Sequence, residues 1–270
     1  MIRRRPSLDS ASFDLVVWGL AALCLALLLL PTLVVITVSF TSGFSLRFPP
    51  PGYSFRWYAA LLEAWQLHFA AANSVKVALW TTGLSMLLGV AAALAIARSE
   101  RLMARILDSV FMSPLVLPAL AFGIAALMYF SLIGLPISPL TLIVGHTVVC
   151  VPYVLRTTIA ALAQLDPALL ESSASLGASR LYTFRRITLP LIRPGILAGA
   201  FIAFMSSFDN VPVSLFLRDA RTDMLPIRMW QDLENRLDVT IAAVSGVMIA
   251  LTVLALIVME RVAGLSRRLR

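Results

Sequence analysis

The run Ser206, Ser207, Phe208, Asp209 and Asn210 places an acid deep inside an otherwise uncharged apolar stretch, with Pro212 just beyond it. Asp209 lies nine residues before Arg218, about 13 Å of helix from that charged end. A carboxylate at membrane depth costs roughly 2.5–3.5 kcal/mol on insertion scales, so it faces protein or water and not lipid. Two roles satisfy that constraint. Asp209 neutralises a fixed partner in a buried contact, or it joins Asn210 and the two hydroxyls in a polar strip lining a path for a solute. Pro212 would open the backbone beside it.

Catalytic constellations are poorly represented. A phosphate-binding loop needs a lysine after glycine in GxxxxGK[ST], yet the single lysine, Lys76, follows Val75. Neither His68 nor His146 is followed by Glu, which removes the HExxH zinc reading, and no GxSxG elbow occurs. Cys24 and Cys150 sit apart in apolar runs, too few and too isolated for a disulfide framework or a metal site. His146, also in an apolar run, reads as a hydrogen-bonded packing residue.

The elements that must carry Asp209 are membrane spans. Apolar residues make up 60% of the chain and charged ones 13%, about half the charge of a soluble domain. The net charge of +8 comes from arginines clustered at the ends of apolar runs. That pattern is a topology signal and not a nucleic-acid surface.

The least membrane-like stretch is DPALLESSASLGASRLYTFRRITLP, from Asp166 to Pro190. Asp166 can cap a helix whose first position is Pro167. Leu165, Leu169 and Leu176 share one side with Leu170 beside them, while Glu171, Ser172 and Ser175 turn elsewhere. Gly177 suits the left-handed residue that ends such a helix. Ser179 can cap a second short helix through Phe184, before Arg185 and Arg186 introduce the next apolar run. Glu171-Ser172-Ser173, Gly177 and then Ile187-x-Leu189-Pro190 resemble the EAA loop of ABC importer permeases, with serines in place of both alanines. In that family the loop forms a coupling helix seated in a groove of the cytoplasmic ATPase. The resemblance implies that Asp166, Pro167, Leu170, Glu171, Ala174, Leu176, Gly177, Ala178 and Arg180 meet the ATPase.

Along the rest of the chain, Arg3, Arg4 and Arg5 precede an uncharged run from Leu15 to Leu46, too long for the core of a cleaved signal peptide. A retained span is expected at about 15–40, followed by a Pro/Gly- and aromatic-rich interfacial loop with a short helix. Further spans are expected at about 73–97, opened by Asn73 and Ser74, at 106–130 and at 138–160, divided by Gly134-Leu135-Pro136. Pro114, Pro118 and Pro152 should kink them. A fifth span at about 191–217 carries the close-packing pair Gly195 and Gly199. Met229, Trp230, Leu233 and Leu237 predict a helix lying along the surface in the outer loop. The sixth span falls at about 239–259. Both termini inside puts 15 arginines on the cytoplasmic side, against 7 basic residues outside.

The expected fold is all-α: a polytopic protein with six transmembrane helices and a cytoplasmic coupling helix, forming a single permease domain over residues 1–270. SSFDN, LPIRMW (Leu225–Trp230) and the last span resemble the spermidine/putrescine branch of these permeases, which often has a second acid where this chain has Asn210. Relatives in the broader group carry ferric iron, thiamine, phosphonates, opines or amino-acid derivatives. The resemblance implies an importer in a bacterial inner membrane, with a second, non-identical permease, two cytoplasmic ATPase subunits and an extracytoplasmic binding protein. ATP and Mg would sit on the ATPases, leaving this chain without a cofactor and without a nucleic-acid partner. A stand-alone secondary transporter or channel is the rival. It would show matching broken helices in two halves, which the sequence lacks, and it leaves the docking loop unexplained.

Overall fold

Long apolar runs with few breakers must close their backbone hydrogen bonds internally in a bilayer, and helices do this segment by segment. The computed structural model describes residues 8–219, 221–236 and 239–263. Among these no extended strand occurs, and the named elements are all helices. Arg3, Arg4, Arg5, Leu237, Arg267, Arg268 and Arg270 lie outside the described residues. Contacts divide the chain into two compact units, one of residues 1–64 and 232–251, the other of 65–231 and 252–270.

In the first unit, α1 (Leu8–Ser39) is apolar almost all round, with Trp18, Leu20, Leu27, Leu28 and Leu30 exposed. A loop follows, closed by Ser42 N–H to the Gly52 carbonyl at 2.9 Å and Ser54 N–H to the Phe40 carbonyl at 2.6 Å. The short helix expected here is α2 (Arg56–Glu63). Its Tyr58 hydroxyl meets Ser39 Oγ at 2.7 Å. Gly246 of α12 (Thr240–Ala263) makes room for that pair, since a Cβ there would lie 2.5 Å from the hydroxyl.

The second unit is built on α3 (Trp65–Arg98), α6 (Pro139–Ala163) and α9 (Leu189–Phe208). Lipid tails give no hydrophobic drive between helices, so close van der Waals packing of small residues must hold them. Gly89 of α3 lies against Val154 and the Val151 carbonyl of α6. Gly195 and Gly199 of α9 both face α6, and a Cβ on Gly195 would come within 2.6 Å of Ala161 Cβ and 2.7 Å of the Thr157 carbonyl. The glycine pair therefore packs as its spacing predicts. Helix α3 starts eight residues before the expected span, because nothing in Trp65–Ala72 breaks a helix.

The expected third span needs correction. Residues 106–130 fall in two helices, α4 (Arg101–Val116) and α5 (Ala119–Leu132), bent by 102°. Pro118 lacks an N–H and forces the residue before it out of the helical region, and Leu117 is extended with ψ 140°. A mere kink at this proline is thus overturned. Among the described residues five helices are long and apolar enough to cross a membrane, and counting the bent pair as one span makes six.

Candidate functional site

Helix α7 (Pro167–Ser175) begins as its sequence requires. Asp166 Oδ1 accepts the Ala168 N–H at 2.9 Å, and Pro167 takes the first position. Its end is a left-handed cap. Gly177 has φ 77°, its N–H donates to the Ala174 carbonyl at 2.9 Å, and the Ala178 N–H donates to the Ser173 carbonyl at 3.1 Å. These two bonds are the paired closure of a Schellman motif. Ser173 is the buried residue of the helix, its hydroxyl 2.8 Å from that of Thr183. Leu169, Leu170, Glu171, Ala174 and Leu176 are exposed, Leu176 at 87%. An apolar surface on a capped helix that the chain itself leaves uncovered is what a docking partner needs.

Ser179 caps α8 (Arg180–Thr183), accepting the Tyr182 N–H at 3.3 Å. Its predicted separation from the next span is not found. A π-helical turn, Phe184–Thr188, joins α8 to α9, making one rod from Arg180 to Phe208. Pro190 interrupts nothing, because the wider turn before it absorbs the missing donor.

At the other end of that rod the helix stops. The span expected to continue to residue 217 is broken at Asp209 and Asn210, and α10 (Val211–Leu217) starts anew. Asn210 explains the restart: its Oδ1 accepts the Val213 N–H at 3.0 Å, with Pro212 in the first turn. An aspartate would cap this turn equally well. Ser207 and Phe208 turn inward and are buried, Ser206 and Asn210 are half-buried, and Asp209 is exposed. Among the described residues Asp209 makes no ion pair. The five residues are therefore divided between packing, capping and surface.

His146 of α6 is fully buried, with Nδ1 2.9 Å from Ser207 Oγ and Nε2 3.0 Å from Ser214 Oγ. It packs as its apolar surroundings suggest, yet it also spans the break. Beyond α10, Arg218 pairs with Asp223 at 2.9 Å. Asn73 Nδ2 donates to the carbonyls of Arg221 and Asp223, both at 3.2 Å, and Ser74 Oγ accepts the Leu225 N–H at 2.9 Å. Asn73 and Ser74 thus pin a loop, which their reading as the start of a span had missed. Asp219 accepts from the Thr222 hydroxyl and from the N–H groups of Arg221 and Thr222. The Thr222 hydroxyl above all holds its carboxyl below the usual carboxylate range.

The family model for the inner membrane component of binding-protein-dependent transport systems matches residues 85–270. The chain belongs to this family. Its matched portion holds both the capped helix α7 and the break at Asp209. The permease is 28% identical over 239 residues to a Haemophilus influenzae protein, the spermidine/putrescine transport system permease protein PotC, covering 87% of this chain and 91% of that one. It is 30% identical over 219 residues to the Escherichia coli K12 putrescine transport system permease protein PotI, covering 78% of each. Among solved structures it resembles a bacterial alginate ABC transporter in complex with an alginate-bound periplasmic protein, at TM-score 0.69 and 17% identity over 98% of both chains. An inward-facing MetNI methionine ABC transporter gives TM-score 0.62 at 18% identity, covering 74% of this chain and 96% of that one. The protein is a multi-pass membrane permease subunit of the ABC importer type, with the all-α fold expected.

Proposed function

We propose that this permease moves a polyamine, or a similarly small organic cation, into the cytoplasm as part of an ATP-driven importer. The observation that carries this reading is Asp209, an exposed carboxylate at a helix break within an apolar span. Outside water it needs a cation, and a passing substrate supplies one. The polyamine names of the PotC and PotI relatives point the same way. Asn210 caps α10 as an aspartate would, so its lack of charge leaves the backbone of the path unchanged.

In this reading ATP and Mg sit on two cytoplasmic ATPase subunits, a second and different permease completes the pore, and an extracytoplasmic protein delivers the solute. The arginine bias supports a topology with both termini and the 166–190 loop in the cytoplasm. Leu170, Glu171 and Leu176 then face an ATPase groove, and closure of the ATPases is transmitted through α7. The test is reconstitution of the complete assembly with its binding protein, followed by uptake of labelled spermidine, putrescine, thiamine and ferric iron. Saturable, ATP-dependent uptake of spermidine or putrescine alone supports the reading. Uptake confined to another solute refutes the substrate, and uptake without ATPase subunits refutes the importer class.

A further inference from the structure

The broken helix is anchored on both sides of its break. Gly195 and Gly199 seat α9 against α6. On the far side, α10 packs on α5, where a Cβ on Gly123 would lie 2.7 Å from Phe216 and 2.9 Å from the Pro212 carbonyl. The loop after α10 is tied to α3 by Asn73 and Ser74. Change in the angle between α9 and α10 is therefore concentrated at Asp209 and Asn210, the non-helical residues between them.

His146 bonds to both sides of that junction. One ring nitrogen holds Ser207, on the last turn of α9, and the other holds Ser214, on α10. A neutral imidazole donates through one nitrogen and accepts through the other, so one hydroxyl donates to the ring and the other receives from it. The three side chains are buried to 1% exposure or less, where no water competes for these bonds. We propose that His146 is a positioning residue, a clasp across the broken span that sets the angle at Asp209–Asn210 and with it the direction of the Asp209 carboxylate. The clasp goes beyond the proposed function, and only its uptake test rests on Asp209 lining the path.

The test uses the complete assembly in membrane vesicles, with Cys24→Ser and Cys150→Ala as background and Asp209→Cys as reporter. The measurement is the rate at which a membrane-impermeant methanethiosulfonate modifies that cysteine. Ser207→Ala and Ser214→Ala each open the clasp, so each should change the rate by about threefold or more, and the double variant should change it no further than either single, as contacting residues of one network do. A reporter at Arg221→Cys should react at one rate throughout. Unchanged rates, a double effect equal to the product of the singles, or loss of assembly in these near-isosteric variants would overturn the clasp. With Asp209 native, the same two variants should raise the apparent KM for spermidine while leaving ATP hydrolysis by the assembly unchanged. Altered labelling with unaltered spermidine uptake would uphold the clasp and remove Asp209 from the path.

Discussion

At the scale of single residues, charge and backbone sign decide what each substitution should do. Asp209→Asn keeps shape and hydrogen bonding but removes the attraction for a cation. If the carboxylate meets the solute, assembly stays normal and the apparent KM for spermidine rises by about tenfold, the equivalent of 1.4 kcal/mol. Unchanged uptake kinetics in a normally assembled variant would end the path role. Gly177 is different, because its φ of 77° costs a side chain about 1–2 kcal/mol. Its Cβ would meet nothing within 4 Å, so Gly177→Val strains the turn without a clash. The variant should assemble and hydrolyse ATP while transporting poorly, and wild-type coupling would count against α7 as the docking helix. Asp219 gives a pH prediction. Its folded pKa is depressed, chiefly by the Thr222 hydroxyl, so its contribution is present above the ordinary carboxylate value and lost as pH falls through the folded one. Hydrogen exchange in residues 218–225 should therefore stay slow at neutral pH and accelerate only in acid. Thr222→Val should move that acceleration to higher pH.

At the scale of elements, small residues and prolines account for most of the architecture. Gly195→Val puts atoms where the Thr157 carbonyl and Ala161 already stand, and overpacking of this kind costs about 1–3 kcal/mol. The purified variant should melt at lower temperature than the wild type, whereas Gly83→Ala, with nothing within 4 Å of the added carbon, should not. Equal Tm values for the two would contradict the α6–α9 packing. The same residues show what was legible in the sequence. Asp166, Pro167, Gly177 and Ser179 each act within a turn of themselves, so their caps could be read locally. Gly195 and Gly199 were readable because spacing alone puts them on one face. The 102° bend at Pro118 was not, since a proline announces a break but its angle is set by what the two halves pack against. Asn210 read as a polar lining residue because Pro212 announced only that the backbone would open there, and not that Asn210 would cap a new helix. The pairings of His146 with Ser207 and Ser214, and of Asn73 with the 221–223 backbone, join residues far apart in the chain. No period or cap signal reaches that distance.

At the scale of the whole molecule, orientation is the property that every functional statement assumes. If the arginine bias has its usual meaning, an impermeant thiol reagent outside intact cells should modify Arg221→Cys and leave Ser175→Cys untouched. The opposite pattern would place α7 away from any cytoplasmic ATPase and remove the importer reading with it. The exposed leucines of α1 are an apolar surface of the kind a membrane-spanning helix presents to lipid.

The unbroken run from Arg180 to Phe208 joins the turn after α7 to the break at Asp209 in one helical rod. Its 29 residues span about 43 Å at 1.5 Å per residue. If an ATPase docks at α7 as proposed, a tilt of a few degrees imposed at the Arg180 end becomes a sideways sweep of a few ångströms next to Asp209, by lever-arm geometry alone. The π-helical turn at Phe184–Thr188 lies near the Arg180 end, so the α-helical turns of α9 carry most of that length. Work done by nucleotide closure would thus arrive at the break as mechanical displacement, with no chain of side-chain relays between.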